Sequence, residues 1–207
     1  MAFPFLGLFL ILIFIIQYFR KKGLDQQQAV EDTFWNREHE ANHVRRQDIS
    51  GLPYITIPFD IFPIGICTDN ILKNHELELE KLKDKKILNL NGQTNTDLKL
   101  KYGPANLPLL TEYDENYATL VKLIVDYANA LIEHGFEAEA IPVLEFGITC
   151  KSDISTNYTL LADFYKRQDN LSSLDRLIES ANQLESRMKQ PILNKLHVIR
   201  DGSVSTL

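Results

Sequence analysis

VKLIVDYANALIEHGFEAEAIPVLEFGITCKSDISTNYTLLADFYKRQDNLSSLDRLIESANQL, residues 121–184, reads as one helical hairpin written twice at a spacing of 34. Numbered from Val121, the first copy places Ile124, Tyr127, Ala128 and Leu131 on one helix, Gly135 at a turn, and Ala140, Leu144 and Gly147 on the next. Numbered from Ser155, the second gives Tyr158, Leu161, Ala162, Tyr165, Asp169, Leu174, Ile178 and Ala181 at the same offsets. Small residues at fixed places let two helices approach closely, and the larger ones fill the space between them. The chain is expected to be all-α on this account.

A period of 34 with this order of aromatic, leucine and small residues resembles the tetratricopeptide repeat. The resemblance covers residues 121–188 and implies a module that holds a protein or peptide on the inner helix of each pair. The positions it points to are Lys122, Val125 and Asn129 in the first copy and Thr159, Asp163 and Lys166 in the second. Asn129 matches an asparagine of the variety that grips peptide C-termini. Val125 stands where that variety has a lysine and Asp163 where it has a second asparagine, so that specificity is not implied. Leu174 replaces a small residue at the close crossing, and Asp169-Asn170 replaces the glycine of the turn, which Asx residues tolerate.

The rest of the domain, 69–207, is expected to cap these repeats, since hairpins need neighbours to bury their faces. NILKNHELELEKLKDKKILNLN, from residue 70, reads as a helix up to Asn91-Gly92, and a short helix is expected to begin at Thr96-Asp97 and stop at Gly103. The last segment, QPILNKLHVI, reads as a terminal capping helix. Residues 49–68 differ in kind. Pro53, Pro58 and Pro63 recur every five residues among apolar and aromatic side chains, which forbids a helix and predicts an extended arm across the helical body. It serves either as a structural strap or as the cover of a groove.

At the other end, residues 3–19 (FPFLGLFLILIFIIQYF) are almost wholly apolar and are followed by Arg20, Lys21 and Lys22. That run is near the shortest that crosses a hydrocarbon layer of roughly 30 Å. Residues 1–22 are therefore expected to form a transmembrane anchor of a single-pass cell-membrane protein. The basic residues after the run place the C-terminal body in the cytoplasm. ISGLPYITIP together with KILNLNGQTNTDLKLKYGPANLPLLTEYDENY is similar to a group of uncharacterised bacterial single-pass membrane proteins, a likeness that implies no activity.

Residues 23–48 hold no Pro and only Gly23, and predict a juxtamembrane helix from about Asp25 to Gln47 with a narrow seam of Val30, Phe34, Ala41 and Val44. The seam is a candidate for pairing with a second copy. Inside it, His39-Glu40-Ala41-Asn42-His43 spells HExxH, two imidazoles on one helix face with a glutamate able to activate water. A membrane-anchored zinc hydrolase is the alternative function on that motif. Arg37, Glu38, Arg45 and Arg46 surround it where a zinc protease has apolar walls, which favours a solvated, charged helix.

Beyond residue 22 the chain carries 19 Lys and Arg against 28 Asp and Glu, a net −9, and repels phosphate backbones. Nucleic acid is excluded as the main partner, and basic or neutral protein surfaces fit better. Cys67 and Cys150 match no metal or disulfide spacing and read as reduced, buried thiols. No phosphate loop, nucleophile elbow or cofactor motif is present. The expected function is a membrane-tethered interaction scaffold, not an enzyme, with no cofactor.

Overall fold

The computed structural model describes residues 4–202, the side chains of 4–11, 24–27 and 29 excepted. Every regular element among them is a helix, as the sequence predicts for the fold class. The helices are α1 (Pro4–Asn42), α2 (Asn70–Lys81), α3 (Asn95–Tyr102), a 3-10 turn (Pro104–Asn106), α4 (Leu107–Glu133), α5 (Glu137–Thr149), α6 (Ser155–Arg167), α7 (Leu171–Asn182) and α8 (Lys189–Asp201). The chain divides into two compact units, Met1–Asp48 with Thr94–Leu107, and Ile49–Gln93 with Pro108–Leu207.

In the first unit α1 runs unbroken across Gly23, so the expected boundary between an anchor and a separate helix is absent. Among the described residues no helix is long and apolar enough to cross a membrane, which overturns the expected single-pass transmembrane span. Inside α1 the apolar side chains pass directly into Arg20, Lys21 and Lys22, and the same helix continues as a polar one to Asn42. The first part of the run, residue 3 and the side chains of 4–11, lies outside the described residues.

The far end of α1 is fixed by α3. Arg37 pairs with Asp97, and Glu38 accepts from Lys99 and from the Thr96 hydroxyl. Thr94, not Thr96, caps α3, in a capping box with Asp97. Residues 43–48 then lie against the 3-10 turn. Asn106, fully buried, donates to the carbonyls of Gln47 (2.8 Å) and Tyr102 (2.7 Å) and accepts from Arg46 Nε (3.0 Å). Gly103 adopts φ 82°, and a Cβ there would sit 2.7 Å from the Arg45 carbonyl oxygen, so only glycine fits.

In the second unit one helical length recurs at a fixed spacing. α6 and α8 each hold thirteen residues, and α8 begins and ends 34 residues after α6. The last thirteen residues of α4, 121–133, lie 34 before α6. The matched positions Ile124, Tyr158 and Ile192 are fully buried, as are Ala128, Ala162 and Leu196. α6 packs on α5, α7 and α8.

The reversals between helices repeat as well. Phe136 N donates to Leu131 O and Gly135 N to Ile132 O; 34 residues on, Asn170 N donates to Tyr165 O and Asp169 N to Lys166 O. Each pair closes a helix with a left-handed residue, Gly135 at φ 83° and Asp169 at φ 54°. At the close approach of α5 to α6, a Cβ on Gly147 would lie 2.7 Å from Asn157 Nδ2.

The arm is packed as a strap. Ile57 and Phe62 are buried in the core with Leu72 and Leu79 of α2, and the Phe62 ring meets Phe146 of α5 edge-on at 5.5 Å. Tyr127 Oη reaches Pro63 O (3.0 Å) and Glu76 Oε1 (3.1 Å), while Gly65 N donates to the same Glu76 oxygen (2.9 Å). One carboxylate thus joins α2, the arm and α4. Helix α2 is shorter than the sequence predicts, ending at Lys81. Residues 82–85 turn, 86–90 carry no regular element and 91–92 turn again, with Leu88 and Leu90 buried and Lys86 Nζ 4.9 Å from the Tyr54 ring centroid.

Candidate functional site

Of the five side chains expected to bind a partner, Lys122 and Asn129 stand on α4, and Thr159, Asp163 and Lys166 on α6. Lys122, Asp163 and Lys166 are exposed, and Asn129 and Thr159 half-buried. Val125, on the same helix, is buried and belongs to the core. Thr159 Oγ1 donates to Thr156 O (3.3 Å) and Lys166 Nζ to Arg200 O at the end of α8 (2.7 Å). Lys166 therefore helps to seat the terminal helix.

His39, Glu40 and His43 are exposed, and α1 ends at Asn42, one residue before His43. The two imidazoles lie 4.4 Å apart by ring centroids, and His43 Nδ1 sits 2.7 Å from His39 O. Among the described residues no three His, Cys, Asp or Glu side chains converge as a metal site. The pair lacks the third ligand that a catalytic zinc takes from the protein.

A cleft of about 370 Å³ opens elsewhere, between segment 88–93, the end of α5 and the loop after α7. Its walls are set by hydrogen bonds that the sequence pattern does not announce. Leu88 N donates to Tyr113 O (3.2 Å), Leu90 N to Asp114 Oδ1 (3.1 Å) and Asn116 Nδ2 to Lys86 O (3.0 Å), which lays this segment along α4. Asn89 Nδ2 reaches Tyr117 Oη (2.9 Å) and Cys150 O (3.2 Å), and the Tyr117 hydroxyl donates to Lys151 O (3.0 Å). The orphan carbonyls at the end of α5 are thereby satisfied. Lys151 closes α5 in the left-handed region at φ 57°, with Ser152 N on Gly147 O and Lys151 N on Ile148 O. Across the cleft Ser186 Oγ donates to Asp153 Oδ2 and receives Met188 N, which fixes the loop into α8.

No family model, no curated protein and no solved structure matches this chain. The site is thus read from its own chemistry.

Beside the cleft lies a second cavity of about 250 Å³ that shares Thr149, Lys151, Gln183 and Leu184 with it and is also lined by Tyr158. Tyr158 is fully buried and its hydroxyl has no hydrogen-bond partner. An unpaired buried hydroxyl costs about 1–3 kcal/mol. Burial, with the Asp153 carboxylate adding to it, pushes the phenol up to about 12, so it stays a neutral O–H donor at any physiological pH. The neighbouring Cys150 thiol is likewise pushed up to about 12 by burial, which removes it as a nucleophile. Asn89 and Tyr117 escaped the sequence reading because their roles depend on partners 28 to 61 residues away, and Tyr158 was read only as a packing position of the repeat; Asn89-Leu90-Asn91-Gly92 carried only a turn signal.

Proposed function

We propose that the chain is a non-enzymatic docking module of tetratricopeptide-like hairpins that holds a segment of another protein. The observation that carries this is the recurrence of a thirteen-residue helical stretch at 121–133, 155–167 and 189–201 in which the positions of Ile124 and Ala128 are buried each time. Stacked hairpins of this kind bury a continuous core and leave one helix face of each pair for a ligand. Lys195 stands at the position filled by Tyr127 and Leu161, and it is exposed, as the outer face of a terminal cap requires. In this reading the partner meets the face that holds Lys122, Asn129, Thr159, Asp163 and Lys166 or a surface continuous with it.

A photo-crosslinking residue placed in the full chain at Asn129 or Asp163, with Glu179 as a control site, tests the reading. One recurrent adduct from the first two sites and none from the control is the expected result. Equal, diffuse labelling from all three overturns it.

A second reading, pairing with another copy, is favoured by the exposure of Val30, Phe34 and Trp35 on α1 at 69%, 53% and 64%. The pairing seam is shorter than expected, because Ala41 is buried. Sedimentation of the full chain decides it: a dimer that Trp35→Ala shifts to monomer supports pairing, and a monomer at all concentrations rejects it.

A further inference from the structure

We propose that the double cavity at the ends of α5 and α7 is the docking cleft for an extended peptide segment carrying a basic residue. The inference rests on the docking-module reading and adds a second surface to it, apart from the inner helix faces.

Three observations converge on it. Tyr158 lines the smaller cavity, and its buried hydroxyl is an unpartnered donor that a ligand carbonyl would satisfy. The larger cavity is lined by the side-chain amides of Asn91, Gln93 and Gln183, none of which has a partner among the described residues. Each amide offers both a donor and an acceptor, the pair that a peptide unit presents along an extended chain. Pro53, Leu88 and Leu184 supply apolar wall between them, in the mixture usual for ligand clefts of this size.

The charge of the ligand follows from the helix ends. The cleft opens at the C-termini of α5 and α7, where the backbone dipoles leave partial negative charge. Glu185 lines it without an ion-pair partner, and Asp153 lies just behind, bonded to Ser186. Lys151 is the single cation among the lining residues of both cavities. The whole second unit carries 14 Lys and Arg against 21 Asp and Glu, a net −7, which draws basic segments toward it.

The test uses fluorescence anisotropy of the full chain with two labelled nonapeptide pools, randomised over uncharged residues, one with a central arginine and one with a central glutamate. The arginine pool is expected to bind at least tenfold tighter. Tyr158→Phe should weaken it about fivefold while leaving the thermal midpoint unchanged or raised, an outcome that a purely structural tyrosine does not give. Glu185→Lys, on an exposed site that folding does not need, should abolish or reverse the preference between pools. Equal binding of the pools, or affinities that neither substitution moves, overturns the cleft. Binding that is lost on Asn129→Ala with Asp163→Ala but kept in the cleft variants also overturns it and leaves the docking module standing. If neither pool binds, the cleft fails, and the module is judged on its crosslinks alone.

Discussion

Two side chains in the second unit hold a backbone conformation that glycine holds more easily. Lys151 at φ 57° and Asp169 at φ 54° each end a helix in the left-handed region, where a Cβ crowds the following carbonyl by roughly 1–2 kcal/mol. Lys151→Gly and Asp169→Gly are therefore expected to stabilise the chain by about 0.5–1 kcal/mol each, read as a higher urea midpoint at unchanged slope. The opposite holds at Gly147, where a Cβ would strike the buried Asn157 amide. Gly147→Ala should cost about 1–3 kcal/mol, and it should not be rescued by Asn157→Ala, which leaves Leu144 O without its donor. The turn at Asp169 was legible because Asx residues announce such backbone. The one at Lys151 was not, since lysine carries no signal for it and the fold alone selects it.

Among the elements, the strap and α3 depend on carboxylates in different ways. Glu76 holds Tyr127 and Gly65 together, so Tyr127→Phe should cost about 1 kcal/mol and speed amide exchange at Gly65 more than in α5. In the first unit, hydrogen bonds from Lys99 and then Thr96 lower the Glu38 carboxyl below its usual range, and those from the Thr94 hydroxyl and N–H, with Arg37, lower Asp97. Groups with lowered folded values contribute stability above their unfolded values, near 4, and lose it as pH falls through the folded ones. Exchange protection of the α3 amides is thus expected to be level from pH 7 to 5 and to decline below about 4. Glu38→Gln with Asp97→Asn should flatten that decline; a decline that persists in the double variant refutes the assignment. The prolines ruled out a helix in the arm in advance, but only residues 53–58 run without a turn; 59–66 fold into successive turns, with Phe62 N on Pro58 O and Ile66 N on Pro63 O. The length of α2 was misread because Lys83, Lys85 and Lys86 look helical by propensity, whereas the alternation Leu88-Asn89-Leu90 already had the period of an extended chain.

At the scale of the whole second unit, α6 packs on α5, α7 and α8, so each part depends on its neighbour. Helix α8 covers α6 and α7, and Leu196 is fully buried there. Leu196→Ala should cost about 2–4 kcal/mol, and exchange should rise in α7 and α6 before α5, since loss begins at the cap. Uniform loss across the second unit would argue against stacking. The all-helical class was readable from the helical spacing of aromatic, leucine and small residues, which each copy of the pattern carries. The membrane span was not, because the apolar run leads directly into Arg20, Lys21, Lys22 and the charged remainder of the same helix α1. Nor was the cleft, whose lining comes from four stretches of chain that no local pattern connects.

Buried Cys150 gives the chain an internal clock. Its thiol sits beside the cleft at 5% exposure, while Cys67 lies half-buried near the strap. Iodoacetamide can reach Cys150 only when the end of α5 opens, so its alkylation rate counts those openings one by one. A peptide lodged in the cleft should slow that count by the fraction of molecules it occupies and leave Cys67 labelling unchanged, with no dye or tag on the protein itself.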